Sequence, residues 1–238
     1  MLESLKNKKI MIVVAHPDDE ILGLGATMNL LINDYNVNAH VLILGEGITS
    51  RSVNKNSIEV KNKLQIHKKN IQSAIKKIGY QSVSICDFPD NRFDTIPLLE
   101  IIKIIEEEKK LFNPEYIFTH HGGDVNIDHQ ITFNAVITAC RPLQNEQTHG
   151  IITFETPSGT EWRASSDPNH FIPNFYVEVK ENHLNAKISA MECYEFERRI
   201  SPHPRSPEAL RIIAQRLGII VGVNFAEAFC LVRDVFKF

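Results

Sequence analysis

Residues Ala15 to Glu20 read AHPDDE and follow directly on the apolar run Ile10-Met11-Ile12-Val13-Val14. A histidine and two aspartates therefore sit where a buried strand turns into a helix, the place in an α/β sheet where ligands collect. His16 and Asp19 offer a nitrogen and an oxygen donor across a tight turn, and Asp18 between them is free to point elsewhere. A second cluster, Thr119-His120-His121-Gly122-Gly123-Asp124-Val125-Asn126-Ile127-Asp128-His129, follows another strand-like run, Tyr116-Ile117-Phe118. Zinc takes about four ligands from His, Cys and Asp/Glu, and a catalytic site keeps one position for water. His16, Asp19 and His129 form such an open set, and Asp18 is placed to take a proton from the water. The chemistry this points to is metal-assisted amide hydrolysis. AHPDDE alone admits another reading, in which the acids merely complement the dipole of a helix's first turn. The second histidine-rich strand end favours the metal, with zinc or another divalent transition metal as the cofactor.

Something rigid must hold the two clusters together. Strand-like runs at 10–15, 37–44, 82–86 and 115–119 alternate with helix-like segments at about 18–34, 57–78, 97–111 and 128–140. This βαβα order predicts an α/β fold, a Rossmann-like and mostly parallel sheet flanked by helices. Runs such as Val41-Leu42-Ile43-Leu44 predict burial on both sheet faces. A fifth strand is expected at 150–155. The Ser-, Gly-, Pro- and Asn-rich segment from Pro157 to Pro173 reads as a long loop of the functional kind. A C-terminal helix/strand extension follows, with a strand at 175–179, helices at 182–199 and 206–217, and a last strand at 228–232. No repeat or linker divides the chain, so residues 1–238 are expected to form a single domain.

At 238 residues and 43% apolar composition the chain can bury a sizeable core. A net charge of −3 with interspersed basic residues argues against nucleic acid as a partner. The four widely spaced cysteines form no CxxC pair and read as thiols in a reducing compartment. MLESLKNKK lacks an apolar run, and no stretch reaches the roughly twenty residues of a membrane span. The expectation is a cytoplasmic protein.

The residues also carry a family resemblance. Residues 14–20, the HHGGDVNIDH segment and the C-terminal PHPRS…AEAF pattern resemble the LmbE/PIG-L family of zinc-dependent sugar N-deacetylases, over nearly the whole chain. The resemblance implies a Rossmann-like fold, zinc on His16, Asp19 and His129, and Asp18 as general base. One position departs from it. Many members have a histidine three residues before the metal histidine, where this chain has Asn126. Asn can donate a hydrogen bond to an oxyanion but cannot deliver a proton. That leaves Asp18, His121 or His120 to supply the acid, while Asp128 is expected to orient His129 or the loop backbone.

Further candidates surround these motifs. Arg51, in the loop after the second strand, suits a phosphate or a sugar hydroxyl, or belongs to a solvated loop. Asp90 and Arg92 follow the third strand in a segment resembling one common in the family, and line the pocket or pair with each other across a turn. Trp162, the only tryptophan, stacks on a sugar ring or anchors its loop. His203 or Arg205, in PHPRS, is expected to reach the site. Gly23 and Gly25 read as small residues that let a helix approach the sheet, since the spacing does not make a phosphate loop.

The function expected is zinc-dependent removal of an N-acetyl group from an amino sugar or glycoconjugate, in surface-sugar or glycoconjugate synthesis, with a nucleotide-linked or lipid-linked sugar as substrate. The alternatives are a metal-dependent amidase on a non-sugar amide and a catalytically impaired metal-binding protein. Phosphoryl transfer on magnesium fits poorly, because two histidine ligands do not suit a hard ion. The family includes homo-oligomers, and this sequence neither requires nor excludes one.

Overall fold

Strands with no polar side must be covered on both faces. In the computed structural model, which describes residues 2–51 and 57–235, β1 (Lys9–Val14), β2 (Asn38–Gly45), β3 (Ser82–Phe88), β4 (Tyr116–His120), β5 (Gly150–Phe154), β6 (Phe175–Glu178) and β7 (Ala226–Arg233) form one sheet ordered β3-β2-β1-β4-β5-β7-β6. The first five in that order are parallel, and β7 runs antiparallel to both β5 and β6. The helices are α1 (Leu2–Leu5), α2 (Asp19–Leu22), α3 (Gly25–Tyr35), α4 (Ile58–Ile78), α5 (Leu98–Phe112), α6 (Ile127–Ala139), α7 (Glu181–Met191) and α8 (Pro207–Val221). Alternate residues of β1 divide the core: Ile10, Ile12 and Val14 join one apolar cluster, Met11 and Val13 the other.

The Rossmann-like expectation holds. β1 is the turning point of the strand order, with β2 on one side and β4 on the other, in the register Ile10↔Tyr116 to Val13↔Thr119. A crevice opens outside the carboxyl ends at such a point. The two clusters read from the sequence leave β1 and β4 there side by side.

Two predicted helices change. The segment at 18–34 is two helices, because Leu24 leaves the helical path at φ −152°, ψ 15°. Gly23, still helical at φ −75°, ends the first of them, and a Cβ there would fall 2.2 Å from the buried Phe154 ring. The helix expected over 182–199 ends at Met191, and the turns that follow bury Tyr194 and Glu197. The loop from Pro157 to Pro173 contains a short 3-10 turn, Thr160–Trp162. No helix among the described residues is long and apolar enough to cross a membrane.

Gly23→Ala should lower stability by about 1–3 kcal/mol, the usual cost of overpacking. Urea unfolding measures it, and an unchanged midpoint would refute the close approach to Phe154.

Candidate active site

The site is built from strand ends. His16 lies two residues past β1, His120 ends β4, and His129 sits in the first turn of α6. Asn126 caps α6, its Oδ1 accepting from the Asp128 N–H at 2.9 Å, and so fixes how Asp128 and His129 project. His16, Asp18, Asp19, Arg51, Asp90, Asn126, His129, Trp162 and Arg205 line one cleft of about 250 Å³.

Asp19 is its hub. Its Oδ2 accepts the His16 backbone N–H at 2.8 Å and lies 3.5 Å from His16 Nδ1, 3.4 Å from His129 Nε2 and 3.4 Å from His120 Nε2. Burial opposes its charge, but His129 beside it, with a hydrogen bond from His16, holds Asp19 well below the usual carboxylate range. His16, Asp19 and His129 can each direct one donor atom at a shared cation. The other nitrogen of each histidine meets a buried carboxylate: Asp128 Oδ2 lies 2.8 Å from His16 Nε2, and Asp124 Oδ2 lies 3.1 Å from His129 Nδ1. Metal-ligating histidines are typically held in this way. The donor set therefore fits a divalent transition metal.

This arrangement corrects one assignment. Asp128 serves His16 and not His129, because its second oxygen accepts the Phe93 N–H at 2.9 Å and turns the group toward β1. The His129 partner is Asp124, which also accepts from the Asn126 N–H at 2.8 Å and from Thr160 Oγ1 at 2.6 Å. Asp124 lies within the motif read from the sequence, but only folding decides which of its two aspartates faces which ring.

The remaining candidates divide clearly. His120 lies behind the cleft, wholly buried and stacked on His129 with ring centroids 3.9 Å apart. Its Nε2 accepts the Ala15 N–H at 2.9 Å, which assigns the proton to Nδ1, facing Thr156 Oγ1 at 3.1 Å. Burial and the neighbouring His129 push it down to about 3. His120 is thus a neutral prop without a face to substrate. His121 turns away, its Nε2 2.8 Å from the Asn169 carbonyl. Arg92 is exposed and does not line the cleft. Asn126 does line it, but its Nδ2 already donates to Asn91 Oδ1 at 3.1 Å. Asp90 Oδ1 lies 3.4 Å from His16 Nε2, and its other oxygen accepts from the Ser50 hydroxyl. Trp162 stands at the rim, 59% exposed.

Asp18 is held apart from the three donors. Its φ of 102° is left-handed, a conformation costly for a non-glycine residue, and its N–H donates to Glu20 Oε2 at 3.0 Å. Glu20 is itself buried, pushed up to about 7 by desolvation, and accepts from the Tyr194 hydroxyl. The Asp18 carboxylate meets Arg205 Nη1 at 2.8 Å. Burial raises Asp18 well above the usual carboxylate range against the pull of Arg205. A buried carboxylate of this kind suits a group that takes and returns a proton near neutrality.

Glu197 was not legible in the sequence. It is 3% exposed and bridges two arginines, accepting from Arg51 Nη1 and Nη2 at 2.7 and 2.8 Å and from Arg205 Nη1 at 2.8 Å. It lies in the run Glu195-Phe196-Glu197-Arg198-Arg199, where nothing sets it apart from its charged neighbours.

Known proteins resemble this chain in sequence and in fold. The sequence model of the family described as PIG-L, GlcNAc-PI de-N-acetylase, matches residues 11–140. The uncharacterised deacetylase YaiS of Escherichia coli (strain K12) is 26% identical over 196 residues, 80% of this chain and 92% of that protein. Among solved structures, N,N'-diacetylchitobiose deacetylase from Pyrococcus horikoshii superposes with a TM-score of 0.75 at 19% identity, over 95% of this chain and 84% of that one. GalB, a 4-carboxy-2-hydroxymuconate hydratase from Pseudomonas putida KT2440, reaches 0.73 at 16% identity, over 97% and 98%. A deacetylase and a hydratase thus share this fold, so the fold alone does not choose the reaction.

In the metal-free protein Asp19 and Asp124 overcome burial and raise His129 from 6.5 to about 9. The stability that this charge contributes is complete below pH 6.5 and is lost as pH rises through 9. Imidazole ¹⁵N shifts should show His129 titrating there, and Asp124→Asn should bring it down. A wild-type His129 that titrates at its ordinary value would contradict the arrangement.

Proposed function

Because this chain belongs to the PIG-L family, described as GlcNAc-PI de-N-acetylase, we propose that it is a zinc-dependent hydrolase that removes the N-acetyl group from an amino sugar or glycoconjugate. The observation that carries the reading is the convergence of His16, Asp19 and His129 with a carboxylate, Asp18, that is not needed as a ligand and faces the same cleft. A zinc ion held by these three residues supplies a water acidic near neutral pH and a Lewis acid for the amide carbonyl.

The chain's own groups do the rest. Asp128 and Asp124 keep the two ligand rings oriented from behind. Asp18 accepts a proton from water as its oxygen joins the acetyl carbon. The carbon–nitrogen bond then breaks, acetate leaves with the new oxygen, and the amine takes a proton. Asp18 is the group that returns it, since His121 is turned to Asn169, His120 is buried behind the cleft and Asn126 has no acidic proton. Arg205 steers the Asp18 carboxylate, and the exposed Trp162 offers a face for a sugar ring.

Asp18→Asn should lower turnover by about 10²–10⁴-fold while zinc content by mass spectrometry stays at the wild-type level. Asp124→Asn should weaken zinc binding about 10–100-fold, and His129→Ala should lose the metal. Undiminished acetate release by Asp18→Asn would remove Asp18 from its role, and full zinc occupancy in His129→Ala would remove His129 from the ligand set.

A further inference from the structure

Resting on the deacetylase reading, we infer that Glu197 is a specificity-determining residue that makes this site select an uncharged carbohydrate and reject one carrying a phosphate beside the acetamido sugar. The cleft contains the two arginines that an anionic substrate would seek, and Arg51 by its planar fork is the natural phosphate binder. Both are already committed. Glu197 takes both terminal nitrogens of Arg51 in a two-bond fork at 2.7 and 2.8 Å. Arg205 is divided between Glu197 and Asp18, each at 2.8 Å, with its Nε donating to Ser158 Oγ at 2.7 Å. A phosphate taking the paired ends of these forks would displace a carboxylate that is 3% exposed, and the half-exposed outer edge of Arg51 offers it only a cation whose charge Glu197 already neutralises. Leaving Glu197 unpaired at that depth would be costly.

The charge of the cleft points the same way. Asp18, Asp19, Asp90 and Glu197 line it against Arg51 and Arg205. A divalent cation would bring this lining only to neutrality, and the carboxylates of Asp124 and Asp128 behind the histidines then leave it acidic. No described residue lining the cleft is an unpaired cation. A phosphate would meet repulsion, whereas hydroxyl groups are donors that Asp90 and its neighbours can accept. The half-exposed Trp162 adds an apolar face suited to a neutral ring. The acidic surroundings also receive the ammonium group that forms when the amide is cleaved.

The test uses the full-length zinc-loaded protein with two sugars, methyl N-acetyl-β-glucosaminide and N-acetylglucosamine 1-phosphate. Acetate release is followed for each, and binding of each is measured separately by ligand-observed NMR. The wild type should favour the neutral sugar by at least about tenfold in kcat/KM, the scale of one charge-assisted contact. In Glu197→Gln that preference should shrink or invert through KM of the phosphorylated sugar, with kcat changing alike for both. Arg51→Gln, which does not bury a lone charge, should leave the neutral-to-anionic ratio where it was or raise it no more than about twofold. A wild-type preference for the phosphorylated sugar would overturn the inference. So would a selective loss of the phosphorylated sugar in Arg51→Gln, or equal effects of Glu197→Gln on both sugars. If neither sugar releases acetate, the deacetylase reading fails for them while the NMR ratio still decides the charge preference. Absence of binding by the neutral sugar would refute that preference.

Discussion

A carboxylate placed among three imidazole rings organises this molecule's crevice. Asp19 Oδ2 lies 3.4–3.5 Å from His16, His120 and His129, and it also accepts the His16 backbone N–H. A buried negative charge survives only where partners replace the water it lost. His129, His16 and the His16 N–H supply such partners, whereas His120, kept neutral by burial and by the neighbouring His129, adds no charge. The register of β1 against β4 makes this possible by setting the two strand ends side by side. Asp124 and Asp128 extend the same principle outward by fixing the far nitrogens of the two ligand rings.

Asp18 and Asp19 are neighbours in sequence with opposite electrostatics. Asp19 is pulled down by His129 and His16, whereas Asp18 is pushed up by desolvation against the pull of Arg205. The backbone separates them. A left-handed φ at Asp18 turns its side chain away from the donor set, and the Glu20 carboxylate holds the Asp18 N–H in that position. Tyr194, on the chain's return past α7, in turn holds Glu20. A strained residue at a reactive centre persists when its surroundings over-determine it, and here strand end, helix start and C-terminal turn all contribute.

The sequence was informative wherever chemistry and local pattern coincided. His16 and Asp19 follow one apolar strand and the His120–His129 motif follows another, and those strands do pack as neighbours. Local pattern cannot tell which carboxylate faces which ring, so Asp128 was expected at His129 although the α6 cap and the Phe93 N–H turn it to His16. Nor does helical periodicity register a contact across the fold, such as the approach of Gly23 to Phe154, 131 residues away. Glu197 is the extreme case. Its meaning depends on Arg51 and Arg205, brought from 146 and 8 residues away, and a charged turn reads as solvated until those partners are seen.

The cleft divides into two parts with different origins in the chain. His16, Asp18, Asp19, Asp124, Asp128 and His129 all lie within the family match at residues 11–140, whereas Ser158, Trp162, Glu197 and Arg205 lie beyond it. The first group gathers on the carboxyl ends of parallel strands, where geometry is rigid. The second comes from the loop after β5 and the turns between α7 and α8, which close over the crevice from outside. Several contacts join them: Arg205 reaches Asp18 while held by Glu197, Glu197 also takes the Arg51 fork, and Thr160 donates to Asp124. A change in the outer segments can alter what enters the cleft, but at Arg205 it also touches Asp18, the carboxylate proposed to handle the proton. Loops grafted onto a common sheet let one fold carry several reactions. In this chain the coupling of Glu197 through Arg205 to Asp18 limits how independently substrate choice and chemistry can vary.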